Sequence, residues 1–119
     1  MNFDPLVPLR RYHEALNAYD EAVVTPMFAP DAVYDSPGVG GRIAGREAII
    51  RAFTAYFTEH PDQHAEDETV EVLSPRKVRF TWRLEATSRS TGRPVTRRGV
   101  ETVTFDDNGL ISHVEVQDL

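Results

Sequence analysis

Residues 77–88 read Lys-Val-Arg-Phe-Thr-Trp-Arg-Leu-Glu-Ala-Thr-Ser. Apolar side chains occupy every second position, and charged or hydroxyl side chains occupy the positions between them. Successive side chains of a β-strand point to opposite faces of a sheet, so the pattern predicts a strand with one apolar face and one polar face. We expect the apolar face to pack against helices. It consists of Val78, Phe80, Trp82, Leu84 and Ala86.

Three more segments share this alternation and surround residues 77–88 along the chain. The predicted strands cover residues 66–73, 77–88, 94–105 and 110–116. Asp107-Asn108-Gly109 separates the last two strands, and an Asn-Gly step favours a tight hairpin turn. Helical periodicity is absent between the four segments, so the second half of the chain is predicted to be an antiparallel meander.

The beginning of the chain carries a helical period instead. Apolar side chains recur there at spacings of three and four residues, which places them on one face of a helix. The predicted helix spans residues 5–19, with Asp4 as its N-cap and Pro5 at its first helical position. Its apolar stripe is expected to face the core and consists of Leu9, Tyr12, Leu16 and Tyr19.

Proline and glycine divide the following stretch into short elements. Asp20 is predicted to cap a short helical segment through residue 28, and Pro30-Asp31 to form a turn before a strand over residues 32–36. Residues 38–45 are either a short strand or a loop. A second long helix is predicted over residues 46–59, and its apolar face comprises Ile49, Ile50, Phe53, Tyr56 and Phe57.

Composition narrows the classes of function. The 119 residues fit one domain, expected to be an α+β unit over residues 1–119. With 13 basic and 19 acidic residues the formal net charge is −6, which disfavours nucleic acid as a partner because phosphate binding needs a basic surface. The chain has no cysteine and no apolar run of membrane-spanning length, so we expect no disulfide, no membrane partner and a cytoplasmic location.

Two polar side chains fall on the predicted apolar faces. Tyr12 lies in the stripe of the first helix. Glu101 shares the parity of Val103 and Phe105 in the strand over residues 94–105, so it should point inward. A buried carboxyl group without a partner is costly and tends to stay protonated. An inward glutamate beside a phenol is therefore a candidate functional pair in a small-molecule pocket.

Three segments are similar to one protein superfamily. They read RYHEALNAYD at residues 11–20, MFAPDAVYDSP at residues 27–37 and GREAII at residues 45–50. They resemble the nuclear transport factor 2-like superfamily, and the SnoaL-like and ketosteroid isomerase branch most closely. The resemblance implies a cone in which the N-terminal helices pack in a curved antiparallel or mixed sheet around an internal pocket. That fold hosts isomerases, cyclases, epoxide hydrolases, dehydratases and non-catalytic binding domains.

The resemblance also implies roles for individual residues. Tyr12 matches the oxyanion-hole tyrosine of ketosteroid isomerases and Glu101 matches their protonated aspartic acid, which both donate to a developing enolate oxygen. The general base of those enzymes is a carboxylate immediately before a proline, where this chain has Ser36. Asp35 comes one residue earlier and faces the other side of a regular strand, so it would reach the pocket only through a bulge.

Further candidate residues surround this group. His13 follows Tyr12 on the helix and is either a base at the cavity mouth or a partly exposed helical histidine. The histidines that flank Pro61 and the glycines of residues 38–41 lack the spacing and context of a metal or nucleotide site, so we expect no metal and no cofactor. The pocket walls are expected to include Phe53, Phe80, Trp82, Val103 and Phe105.

These features predict a ketosteroid isomerase-like or SnoaL-like pocket protein whose partner is a small hydrophobic ligand or substrate. It would be a cofactor-independent isomerase, cyclase or lyase acting on a hydrophobic carbonyl compound, similar to the steroid delta-isomerases. The alternative is a non-catalytic binding module for an apolar ligand, whereas a purely structural dimerisation domain would leave an inward Glu101 unexplained. The outer sheet face, with its mixed charges and threonines, favours a homodimer through that face.

Overall fold

The computed structural model describes residues 3–119, which contain three α-helices and six β-strands. The helices are α1 (Leu6–Ala18), α2 (Glu21–Val24) and α3 (Arg46–Glu59). The strands are β1 (Phe28–Ser36), β2 (Gly41–Ala44), β3 (His64–Ser74), β4 (Lys77–Thr87), β5 (Pro94–Phe105) and β6 (Ile111–Asp118). Two 3₁₀ turns, Thr25–Met27 and Pro37–Val39, precede and follow β1. None of the helices within residues 3–119 is long and apolar enough to cross a membrane.

The six strands form one sheet in the order β2-β1-β6-β5-β4-β3. Strands β3 to β6 pair antiparallel as the predicted meander, while β1 lies beside β6 and runs parallel to it. The sheet is therefore mixed. It curves without closing, with α3 packed mainly on β1 and α1 approaching β3. The predicted α+β cone is confirmed.

Local sequence explains where α1 begins and ends. Asp4 Oδ1 accepts a hydrogen bond from the Leu6 backbone N–H at 3.0 Å, but the helix begins one residue later than predicted, so Pro5 and not Asp4 is its N-cap residue. Tyr19 ends the helix with a φ of +38°, in the left-handed region, and its ring stacks on Phe57 of α3 with the centroids 4.1 Å apart. The helix buries Leu9, Tyr12 and Ala15, whereas Leu16 and Tyr19 of the predicted stripe are only partly buried.

Two short segments differ from the simplest expectation. The turn predicted at Pro30-Asp31 is wrong, because both residues lie within β1. The pairing of β1 with β6 shifts register between Phe28 and Val33, and such an irregularity accommodates a proline that cannot donate to the ladder. The alternative left open for residues 38–45 is resolved as a 3₁₀ turn followed by β2.

The core lies between the concave face of the sheet and the helices. α3 contributes Ile49, Ile50 and Phe53 to it. The alternation of β4 is confirmed, because every residue of its predicted apolar face is buried: Val78, Phe80, Trp82, Leu84 and Ala86.

Candidate functional site

A cavity opens between the concave face of the sheet and the helices α1 and α3. Its volume is about 110 Å³, measured as the space open to the centres of water-sized molecules. One water needs roughly 10–15 Å³ on this measure, so the cavity has room for a larger molecule. Its walls are mainly apolar, and their aromatic part consists of Tyr34, Phe53, Tyr56, Phe57, Phe80 and Trp82. Other polar side chains reach it from His13, Asn17, Ser36, Gln63, Asp67, Arg97 and Glu101.

Glu101 is a buried carboxyl group in this cavity. It projects inward from β5, is only 8% exposed, and its side chain makes no hydrogen bond within residues 3–119. Burial raises the pKa of Glu101 to about 8; the Asp67 carboxylate adds to the rise and Arg97 opposes it. The side chain is therefore protonated at neutral pH and presents an O–H donor to the cavity.

Tyr12 lies behind the cavity wall. It is fully buried, packs edge-on against Phe28 with the ring centroids 5.6 Å apart, and does not line the cavity. Among the described residues its hydroxyl lies near the Tyr34 hydroxyl, but the two make no hydrogen bond of ordinary geometry. Burial raises the pKa of the Tyr12 phenol well above its ordinary value, and Tyr34 and Glu101 add to the rise. Tyr12 and Glu101 are thus electrostatic neighbours, with Tyr34 in the wall as a third member.

Gly99 shapes one wall of the cavity. It faces inward in β5, where an added Cβ would collide with the Trp82 indole and lie 2.8 Å from the Gln117 carbonyl oxygen. The missing side chain lets the indole lie against the β5 backbone. Arg97 packs over the same indole, 5.3 Å from the ring centroid, and donates a hydrogen bond to Asp118 at 2.7 Å. A cation neutralised by Asp118 therefore borders the aromatic wall.

A second polar pair faces the cavity from α1 and β3. His13 Nδ1 lies 2.8 Å from Asp67 Oδ2, and both residues line the cavity. The His13 ring packs edge-on against Phe80 with the centroids 4.5 Å apart. Its Nε2 is buried without a hydrogen-bond partner in the described part of the chain. Of the two readings left open for His13, the structure therefore places it at the cavity.

Ser36 and Asp35 lie on opposite faces of β1. Ser36 is buried and lines the cavity, and its Oγ accepts a hydrogen bond from the Gly38 backbone N–H at 3.1 Å. Asp35 points to the outer face, where its Oδ2 lies 3.1 Å from His113 Nε2. The expectation that Asp35 could reach the pocket is wrong, because the register shift of β1 ends before Val33 and leaves the later residues in regular alternation.

Residues that point inward from a strand do not all reach the cavity. Phe53, Phe80 and Trp82 line the cavity, whereas Val103 and Phe105 do not. Both are buried, and Phe105 packs edge-on against Phe3 with the centroids 5.5 Å apart. The last residues of β5 therefore belong to the solid part of the core, which corrects the expectation that they form pocket walls.

Several lining residues were missed by the sequence analysis. Arg97 shares the inward parity of Glu101 and could have been found from it, as Tyr34 could from its parity with Ser36. Asp67 gave no such signal, because it lies within the acidic run Glu66-Asp67-Glu68 that is typical of a solvated strand edge.

Comparison with solved structures places this fold among known proteins. RV0760c from Mycobacterium tuberculosis, in complex with estradiol-17beta-hemisuccinate, has a TM-score of 0.84 at 20% identity, covering 95% of this chain and 92% of that one. The epoxide hydrolase/cyclase-like enzyme SalBIII, of pyran ring formation in the polyether salinomycin, has a TM-score of 0.84 at 19% identity, covering 97% of this chain and 90% of that one. A computationally designed 17-OHP binder has a TM-score of 0.79 at 21% identity, covering 96% of this chain and 92% of that one. At these identities the likeness shows the fold alone.

Sequence comparison identifies the family. Curated protein sequences gave no match to this chain. A family model described as a SnoaL-like domain matches residues 9–114, which is most of the chain. This protein therefore belongs to the SnoaL-like domain family of the nuclear transport factor 2-like fold.

Proposed function

We propose that this protein binds a hydrophobic carbonyl compound in its cavity and acts on it by acid–base chemistry, as a cofactor-independent isomerase, cyclase or lyase. The aromatic walls bury the carbon skeleton of the substrate. The protonated Glu101 donates a hydrogen bond to its carbonyl oxygen. The steroid complex of RV0760c and the cyclase-like activity named for SalBIII support this class of ligand.

The observation that carries the proposal is the unpartnered carboxyl group of Glu101 at an apolar cavity. No protein group within residues 3–119 accepts from this donor, so a ligand oxygen that displaces water from the cavity would supply the acceptor. The same donor would stabilise an enolate oxygen more than a ketone oxygen, since negative charge develops on that atom as a neighbouring proton leaves. The site thus has the hydrogen-bond donor that stabilises an enolate when a proton is removed from carbon.

Binding of α-tetralone and of tetralin, the hydrocarbon without the carbonyl oxygen, tests this proposal. Trp82 is the only tryptophan of the chain and lines the cavity, so quenching of its fluorescence reports occupancy. We expect native protein to bind the ketone roughly 2- to 10-fold more tightly, because one hydrogen bond contributes about 0.5–1.5 kcal/mol. The preference should disappear as the pH rises through the pKa of Glu101, about 8.

Two variants separate the donor from the volume of the side chain. Glu101→Gln keeps an N–H donor that does not titrate, so its preference for the ketone should persist at high pH. Glu101→Leu removes the donor and should bind both ligands alike. A native protein that does not distinguish the ketone from the hydrocarbon, or a Glu101→Leu variant that still does, would contradict the proposal.

Ser36 favours a second candidate function. The position that holds the base in ketosteroid isomerases faces the cavity without a carboxylate, which suits a binding module that holds an apolar ligand without converting it. Binding of the ketone with no turnover of any carbon acid would select this function.

We also propose that two copies pair through the outer sheet face. A face of mixed charges and threonines is suited to self-complementary pairing about a two-fold axis. In analytical ultracentrifugation we expect the native protein to have twice the 13.4 kDa mass of one chain. A Thr81→Glu variant should have the mass of one chain. A native mass of one chain would contradict it. The ion pairs of this face are Arg79–Glu71, Arg83–Glu85 and Arg98–Glu68.

A further inference from the structure

Asp67 is a second carboxyl group that faces the cavity, on the far side of the Trp82 indole from β5. Asp67 of β3 pairs with Trp82 of β4, which in turn pairs with Gly99 of β5, two residues before Glu101. Neighbouring strands lie about 4.8 Å apart, so the two carboxyl groups spring from backbones separated by roughly 10 Å across the sheet. A small substrate fits between two side chains that converge from this distance.

Asp67 points into the cavity because it pairs in register with Trp82 and shares the parity of Ala65, which also lines the cavity. The pairing of β3 with β4 shifts register between Asp67 and Thr69, and Thr69 Oγ1 lies 2.6 Å from Thr81 Oγ1 on the outer face. The irregularity changes the direction of the residues after Asp67, so Thr69 no longer shares the inward parity of Ala65 and Asp67. Glu68, within the irregularity, instead accepts hydrogen bonds from Arg98 at 3.0 and 3.3 Å. Asp67 is therefore separated from the charged outer surface of its own strand.

The surroundings of His13 favour the arrangement in which Nδ1 donates to Asp67. An imidazolium would bury an N–H at Nε2 without an acceptor, since Nε2 has no partner among the described residues. A neutral ring that donates from Nδ1 to Asp67 leaves only a lone pair unpaired, which costs less. Asp67 is then the acceptor of this hydrogen bond and is held in place by His13. The buried Nε2 is also out of reach of a substrate, whereas the side chain of Asp67 is 33% exposed.

We propose that Asp67 is the general base of this pocket, and that His13 is the residue that positions it. The inference rests on the proposed function, since a base needs a substrate whose oxygen is bound. Asp67 removes a proton from the carbon next to the carbonyl group. The C–H electron pair moves into the enolate, and Glu101 stabilises the oxygen. The proton then returns to another carbon in an isomerisation, or the enolate expels a leaving group in an elimination.

Base-promoted ring opening of nitrobenzisoxazole tests Asp67 without knowledge of the natural substrate. In that reaction the base takes the ring C–H proton, the electron pair forms a nitrile, and the N–O bond breaks to release a phenolate. We expect Asp67→Asn to lower kcat about 10²- to 10⁴-fold with little change in KM, the range that positioned general bases contribute. Glu66→Gln removes a carboxylate from the adjacent, outward position and should keep the native rate.

Two variants of His13 distinguish positioning from packing. His13→Phe keeps a ring against Phe80 but removes the donor to Asp67, and should lower kcat at least about tenfold through misplacement of the carboxylate. His13→Gln retains an N–H that can reach Asp67, and should restore most of the rate. A merely structural role of His13 would not produce this rescue.

The outcomes separate this inference from the proposed function. A native rate no higher than that of buffer, an Asp67→Asn variant at the native rate, or equal rates in His13→Phe and His13→Gln would overturn the assignment of the base. A preference for α-tetralone over tetralin would still stand in those cases as evidence for the role of Glu101. Loss of that preference with an intact Asp67-dependent rate would overturn the proposed role of Glu101 alone.

Discussion

At the scale of single residues, Ser36 occupies the position where the resemblance to ketosteroid isomerases implies a catalytic carboxylate. Ser36 lies on the cavity face of β1 and caps the turn Pro37–Val39 through its bond from Gly38. Aspartate has the same capping ability as serine, so a carboxylate can be placed there without loss of the turn.

Ser36→Asp should therefore create a base at the position used by ketosteroid isomerases. We expect native protein to show little migration of the double bond in a β,γ-unsaturated steroid ketone, because Asp67 lies on β3, on the far side of the sheet from residue 36 of β1. The variant should raise that rate by about 10²- to 10⁴-fold, the usual contribution of a positioned base. The rate is measured from the absorbance of the conjugated product, with steroid occupancy followed by Trp82 fluorescence.

Ser36→Asn is the matched control, because it has the size and capping ability of aspartate without its basicity. Equal rates in the two variants, both with steroid bound, would contradict the prediction. Efficient isomerisation by native protein would also contradict it and would point to a base already present for steroids.

At the scale of elements, β4 and β5 form the cavity wall because a large side chain on β4 packs against a glycine on β5. The Trp82 indole occupies the space that a side chain at Gly99 would need, and Arg97 covers the outer end of the ring. The pairing of Trp82 with Gly99 fixes this arrangement, since both residues point to the same face of the sheet. Two neighbouring strands thus set the shape of the site.

Gly99→Ala should displace the indole and reduce the cavity. The added methyl group meets the Gln117 carbonyl, which is backbone and cannot move aside, so we expect a loss of roughly 1–3 kcal/mol in the free energy of unfolding. Binding of α-tetralone should weaken, and Trp82 emission should shift. Urea denaturation and fluorescence titration measure both effects.

Thr102→Ala provides the control in the same strand, since Thr102 faces away from the cavity. It should leave ligand binding and Trp82 emission unchanged. Tight ketone binding by a stable Gly99→Ala variant would show that the indole does not need the space at residue 99.

At the scale of the whole molecule, burial of Glu101 couples folding to pH. The pKa of Glu101 is raised by burial from its ordinary value of 4.5 to about 8. Between these two values the folded state keeps a proton that the unfolded chain has released, so folding becomes less favourable as the pH rises. The contribution of neutral Glu101 to folding stability is complete below pH 4.5 and is lost as the pH rises to about 8.

The free energy of unfolding of native protein should therefore fall across this window by up to about 1.4 kcal/mol per pH unit relative to Glu101→Gln. Urea denaturation at a series of pH values measures the difference. Glu14→Gln replaces an exposed carboxylate and should retain the native dependence. Parallel pH profiles for native protein and Glu101→Gln would show that Glu101 titrates as an ordinary carboxyl group.

The sequence alone determined the two long helices, the four strands of the meander and the inward faces of β4 and β5. The period-two alternation of residues 77–88 predicted β4 and its buried side, and the parity of Glu101 placed a carboxyl group in the core. These inferences succeeded because the direction of a side chain follows from its position in the element. The three quoted segments also led to the correct family.

Only the tertiary structure decided which inward residues meet the cavity. Tyr12, Val103 and Phe105 point inward but are enclosed by other core side chains, because depth in a cone depends on how the elements pack. The pairing of His13 with Asp67 joins residues 54 positions apart, and a register shift after Asp67 places Thr69 on the opposite face of the sheet from Asp67. Periodicity describes each element separately, so neither that contact nor that shift could be read from it.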